Sequence, residues 1–258
     1  MRQLTLFILL IGCVSLFIAG CDVVEDIVRH VSEDENANGL LIDPTEFDEE
    51  YSGPIDSADF VAVVDNPYWP LTLGTTLIYE GETEDGPERI VVEVIDDTKV
   101  ILGVTCTVVR DRVFLDGELI EDTLDWYAQD TEGNVWYFGE DSKEIEDGQV
   151  VDTAGSWEAG VAGATPGIIM KGDPEVGDQY RQEFFAGEAE DMAKILSLNE
   201  SVTVAAGSFD NCWQIMEWSA LEPEVVAHKF YAPGVGSILE IHVEGDLERV
   251  ELVEIRNE

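Results

Sequence analysis

The stretch from Asp125 to Glu140, DWYAQDTEGNVWYFGE, leaves few folds open to the chain that carries it. Two runs rich in aromatic and β-branched residues flank the polar tetrad Asp130-Thr131-Glu132-Gly133. Aromatic side chains suit a pleated, half-buried surface, and glycine reaches the positive φ that a tight turn requires. The stretch therefore predicts a β-hairpin. Its order returns near the C-terminus, where KFYAPG (Lys229 to Gly234) leads into VGSILE (Val235 to Glu240). The chain reads as a duplicated β-meander, with halves over about 70–148 and 174–245.

Between these landmarks, short apolar runs alternate with the turn pairs Asp85-Gly86, Asp116-Gly117 and Asp147-Gly148. Val100-Ile101-Leu102 is broken by Gly103, after which Val104 to Leu115 reads as a long, bent strand. Ala154 to Gly167 is rich in Gly and Ala and reads as a linker or a loop over the sheet. Over Glu188 to Leu198 the spacing of Ala189, Met192, Ala193 and Leu196 predicts the one short helix of the body. The expected fold is mainly β: a large antiparallel meander of about ten strands in two similar halves, which accumulated twist curls into a half-barrel or sandwich.

Charge narrows the partners. The 258 residues carry a formal net charge of −43, and lysines are few (Lys99, Lys143, Lys171, Lys194 and Lys229). Such a chain repels nucleic acid and anionic headgroups, so nucleic acid is excluded as a partner. Three explanations of the acidity stand side by side: a carboxylate surface for salty surroundings, calcium binding by oxygen ligands, or plain solubility. Asp122, Asp125, Asp130 and Glu132 form the candidate cation site, although the tetrad lacks the spacing of a calcium loop. No other cofactor is expected.

The N-terminus has its own logic. A short positive segment, Met1 to Gln3, precedes a nearly continuous apolar run from Leu4 to Ala19. That run is shorter than the ~20 residues a spanning helix needs, and it ends in small residues at Ile18-Ala19-Gly20-Cys21, as a signal peptide does. These four residues resemble the lipobox of bacterial lipoproteins. The resemblance implies cleavage after residue 20, acylation of Cys21, and an extracytoplasmic protein held to the cell envelope by its lipid. Residues 21–65 then read as the acylated Cys and a flexible acidic tether, and 66–258 as the β-rich domain. An alternative reading has Phe60 to Val64 adding an edge strand to that domain.

Of the side chains that carry chemistry, Cys106 and Cys212 lie at comparable places in the two halves. They read either as a disulfide or as two separate buried thiols. Trp126, Trp136, Trp157 and Trp213 are core residues or, on a curled sheet, the lining of a ligand cavity with Trp157 near its mouth. His242 alternates with apolar neighbours and reads as an exposed, titrating residue beside carboxylates. No nucleophile elbow and no phosphate-cradling loop is present.

From Asn66-Pro67-Tyr68 onward the body resembles a widespread group of uncharacterised secreted and lipid-anchored bacterial proteins. The residues that carry this are Trp126 to Asp130, Gly133 to Glu140 and Tyr231 to Gly236. At the level of fold the meander is also similar to the half-barrels of lipoprotein carriers, which hold acyl chains on a concave face. The expectation is a non-catalytic binding or assembly module, with an unknown hydrophobic ligand or an envelope protein as partner. A structural surface lipoprotein is the alternative. A hydrolase is a third reading, to be revived by a buried cluster of carboxylates.

Overall fold

A computed structural model describes residues 55–257 except 84 and 245–247. The signal peptide, Cys21 and most of the tether lie outside the described residues. Among the described residues, sixteen strands form one antiparallel sheet. The first half contains β1 (Thr75–Thr83), β2 (Gly86–Ile101), β3 (Val104–Leu115), β4 (Glu118–Gln129) and β5 (Val135–Asp141), followed by the short β6 (Glu144–Glu146), β7 (Gln149–Asp152), β8 (Trp157–Glu158) and β9 (Thr165–Met170). The second contains β10 (Gln179–Arg181), β11 (Glu183–Phe184), β12 (Asp191–Val204), β13 (Gly207–Ser219), β14 (Val226–Ala232), β15 (Gly236–Glu244) and β16 (Arg249–Asn257). Two meanders, β1 to β5 and β12 to β16, join where β1 pairs with β16.

The sheet closes on itself. Its path runs from β10 through β12–β16 and β1–β5 to β9 and β11. The two outermost strands are consecutive in the chain, separated only by Gln182, whose backbone N–H donates to the Asp191 carbonyl at 2.8 Å. One kinked segment thus pairs with β12 on one side and β9 on the other. Closure removes the open edges that a sheet of this length would expose. It also demands a close approach, because a Cβ at Gly167 would run into the carbonyl group of Gln182.

Several expectations change. The predicted helix over Glu188 to Leu198 is strand β12 over most of its length. Met192 and Ala193 are both fully buried, but in different clusters, because β12 is covered on both faces. Such a run loses its period-2 alternation and imitates helical spacing. The break at Gly103 is present, but it is a hairpin turn and not a bend. Leu102 and Gly103 both have positive φ and make the two-residue turn of the β2–β3 hairpin. The turn chemistry at Asp116-Gly117 and Asp147-Gly148 holds as read. The Gly/Ala-rich stretch contains β8 and the start of β9, both paired with β5.

The expected flexible tether ends earlier than residue 65. Phe60 bridges to Asp130, and the Val61 N–H donates to the Gln129 carbonyl at 2.9 Å. The Gln129 side chain accepts from the N–H groups of Asp65 and Asn66 at 2.8 and 2.7 Å. Asn66 in turn donates to the carbonyls of Gly133 and Lys171. Residues 56–71 therefore form a strap fixed to the end of the barrel, and the strap delivers Trp69 to its interior.

Candidate functional site

Strands β1 to β4 and β14 to β16 line a cavity of about 120 Å³. Strand periodicity selects its lining, since alternate residues face one side. Leu77 and Tyr79 come from β1, Ile90 and Val92 from β2, and Val250 from β16. Beside Val109, β3 contributes Asp111, while β4 contributes Thr123, Asp125 and Tyr127. Lys229 and Tyr231 enter from β14 and Glu240 from β15. The strap supplies Trp69, Pro70 and Leu71. Part of the wall is thus aromatic or aliphatic, and the rest is ionisable.

The polar part continues behind the lining. On β4 the inward face reads Glu121, Thr123, Asp125, Tyr127 and Gln129, all buried. The Tyr137 hydroxyl donates to Asp125 at 2.7 Å, and Thr123 to Glu121 at 2.8 Å. Lys229, 3% exposed, lies 2.8 Å from Glu217 and 3.5 Å from Glu240. Glu217 also accepts from Tyr231 at 2.9 Å and from Gln182 at 3.1 Å, which ties the polar network to the closing seam. His242 lies 3.1 Å from Glu240 and is buried, not exposed as its strand pattern implied.

Burial governs the electrostatics. It pushes Asp125 up to about 7, against the Tyr137 hydrogen bond and with help from Glu121. Glu121 is pushed up to about 7 by burial despite its bond from Thr123. Glu88 also reaches about 7, through burial and then the charges of Glu248, Glu240 and Glu121. Burial, followed by Asp125, Glu121 and Glu88, holds Asp111 well above the carboxylate range. For Lys229 burial works against the charge, but Glu217 and Glu240 outweigh it and the ammonium persists. The interior is an acid store in which the Lys229 ammonium is firmly held.

The residues singled out from sequence separate. Asp122 faces outward and takes a two-pronged bond from Arg110 at 2.7 and 2.6 Å. Asp130 is consumed by its own turn, accepting from the backbone of Glu132 and Asn134 and from the Asn134 and Trp136 side chains. Glu132 is exposed, and only Asp125 of the four lies inside. The candidate cation site does not assemble, and among the described residues no group of three or more metal-ligating side chains does. None of Trp126, Trp136, Trp157 and Trp213 lines the cavity. Trp126 lies under the Lys99 ammonium, Trp157 donates to Glu183 at 3.0 Å, and Trp213 stacks on Tyr68. Cys106 and Cys212 are free, buried and in different clusters, so the reading as separate thiols is the one the structure has.

Sequence reasoning missed Asp111, Lys229, Glu240 and Trp69. One signal was present at Arg110-Asp111-Arg112. Adjacent strand residues face opposite ways, and both arginines pair on the outside with Asp122 and Glu93, which turns Asp111 inward. The structure defines a nearly closed antiparallel barrel with an internal cavity and a strap across its end. No protein-family model and no curated protein matches the chain. Among the solved structures similar to it, three cover most of the chain. A protein named as a putative exported protein with a YmcC-like fold, from Bacteroides fragilis, has 15% identity and a TM-score of 0.43, covering 74% of this chain and 99% of its own. One named as a putative lipoprotein, from Parabacteroides distasonis, has 12% identity and a TM-score of 0.41, covering 73% and 98%. A beta-barrel-like protein of a domain of unknown function, from Brucella abortus, has 13% identity and a TM-score of 0.44, covering 72% and 98%.

Proposed function

We propose that this chain is a lipid-anchored protein of the cell envelope whose barrel binds one small ligand without transforming it. The observation that carries the reading is the cavity, whose wall passes from Leu77, Val92 and Trp69 to Asp111, Asp125 and Lys229 around one space. Binding sites combine an apolar majority with a few placed polar groups in this way. The size restricts the ligand. At about 120 Å³ the space is well below the ~300–1,000 Å³ of drug-sized pockets, so long acyl chains of the kind lipoprotein carriers hold do not fit. The anchor follows from the lipobox-like Ile18-Ala19-Gly20-Cys21.

The test is titration of the mature protein with a panel of small amphiphiles, read by tryptophan fluorescence and calorimetry. Saturable binding to the native protein, abolished by the cavity-filling change Leu77→Trp with the fold retained by circular dichroism, is the expected result. Absence of saturable binding across the panel would reject the reading. Incorporation of labelled palmitate, lost in Cys21→Ser, tests the anchor. A hydrolytic reading draws support from Asp111 and Asp125 bordering the same cavity with raised proton affinity. Turnover of a bound ester, amide or glycoside that Asp125→Asn abolishes would establish it in place of simple binding.

A further inference from the structure

The aromatic and the ionisable parts of the cavity wall face the same space, and that pairing narrows the ligand. The Trp69 ring centroid lies 5.4 Å from that of Tyr127 and 5.9 Å from that of Tyr231, with interplanar angles of 60° and 38°. Rings inclined in this way turn several π faces on a shared volume, and π faces attract cations. The Tyr231 hydroxyl is committed to Glu217 at 2.9 Å and that of Tyr79 to the Ser237 carbonyl at 2.9 Å, so these two offer rings rather than donors. Carboxyl groups of Asp111, Asp125 and Glu240 line the same volume. Asp111 Oδ1 is buried without a hydrogen-bond donor. The lone ammonium, Lys229, is already held between Glu217 and Glu240.

We propose that the ligand is a small organic cation, an amine or quaternary ammonium, seated among Trp69, Tyr127 and Tyr231 with Asp111 and Asp125 as its counter-charge. The proposal rests on the binding reading above and names its ligand class. The volume sets the size. A dry engineered cavity of ~150 Å³ accepts benzene, so about 120 Å³ suits roughly five non-hydrogen atoms.

A proton competes for the same site. Asp125 is faced by Asp111 from β3, by Glu121 and Tyr127 on its own strand, by Tyr137 and Glu140 from β5, and by Glu183 from β11. Every one of these groups is acidic or phenolic, and burial keeps the Asp125 proton in place up to about pH 7. An incoming cation favours the ionised carboxylate, so binding releases a proton and tightens as pH rises.

Three compact probes of different charge decide the matter on the full mature chain: tetramethylammonium and tert-butanol, which match in size, and the somewhat larger anion trimethylacetate. The expected result is saturable binding of tetramethylammonium at least about tenfold tighter than tert-butanol, tightening from pH 5.5 to pH 8, with no binding of trimethylacetate. Asp125→Asn should weaken the cation about tenfold and leave tert-butanol within about twofold. If tert-butanol binds as tightly as the cation, the site exists and the cation assignment falls. Tighter binding of trimethylacetate also overturns it, as does an Asp125→Asn protein that holds tetramethylammonium unchanged. Failure of all three probes removes the binding reading itself.

Discussion

Replacing Asp125 by Asn should stabilise the protein, and by an amount that depends on pH in a calculable way. The carboxyl moves from an ordinary 3.8 to about 7 on folding, chiefly through burial. Because the folded-state value is raised, the folded chain keeps a proton that the unfolded chain has lost. The associated stability is complete below about pH 4 and is lost as pH rises through about 7. At ~1.4 kcal/mol per unit, the ionised group costs the fold about 4 kcal/mol at pH 8, but only about 0.6 kcal/mol at pH 4. Asn mimics the protonated acid. It still accepts from the Tyr137 hydroxyl, and Glu140 is its cross-strand partner. The difference in unfolding free energy between the two proteins should therefore grow from under about 1 kcal/mol at pH 4 to about 4 kcal/mol at pH 8. Urea unfolding at several pH values measures it. The series belongs in 1 M NaCl, where a Debye length of about 3 Å removes most of the surface repulsion. An Asn protein that is less stable than wild type at pH 8, or a difference that does not change with pH, would refute the argument.

Other expectations follow from the same interior. Lys229→Met leaves Glu217 and Glu240 without their buried cation and should cost about 3–5 kcal/mol in urea unfolding; a loss within about 1 kcal/mol would mean that water reaches those acids. Gly167→Ala forces a methyl group against the Gln182 carbonyl at the seam. It should cost about 1–3 kcal/mol and speed amide exchange in Thr165–Met170 and Glu183–Phe184, whereas wild-type exchange there would place the closure elsewhere. Cys106 and Cys212 should resist alkylation in the native protein, because both are buried and burial pushes Cys106 up to about 12. Both should react in urea without reductant, and a cross-linked peptide in a non-reducing digest would contradict the separate thiols.

Much of the fold was legible because its signals are local. The hairpin from Asp125 to Glu140 and the turns at Asp116-Gly117 and Asp147-Gly148 rest on residues whose chemistry dictates backbone conformation without reference to the rest of the chain. The failures are non-local. Nothing in the spacing of Ala189, Met192 and Ala193 says that a strand will be covered on both faces. Nothing near Leu102 announces a positive φ at a leucine, which is imposed by the pairing of β2 with β3. The cavity was hidden for a related reason. An inward polar stripe such as Glu121, Thr123, Asp125, Tyr127 and Gln129 has the same alternation as a solvated face. Only closure decides which side of β4 is inside, and closure depends on Gln182 reaching both edges of the sheet.

The charge of −43 therefore conceals two populations of acids with opposite physical meaning. Those such as Asp122 and Glu93 face outward, and arginines on a neighbouring strand pair with them. Outer charges of this kind bear on solubility and salt response, and exposed pairs contribute little to stability. Asp111, Asp125 and Glu121 sit inside a nearly closed barrel, where burial disfavours each ionised form. An interior selected only for stability would replace them with apolar residues of similar volume. Instead, aromatic rings surround the same small space, and the single lysine there is already neutralised by two glutamates. Surface acidity calls for no ligand, because water solvates it. Acids held against their own burial beside an aromatic-walled cavity are the feature on which the proposed cationic ligand rests.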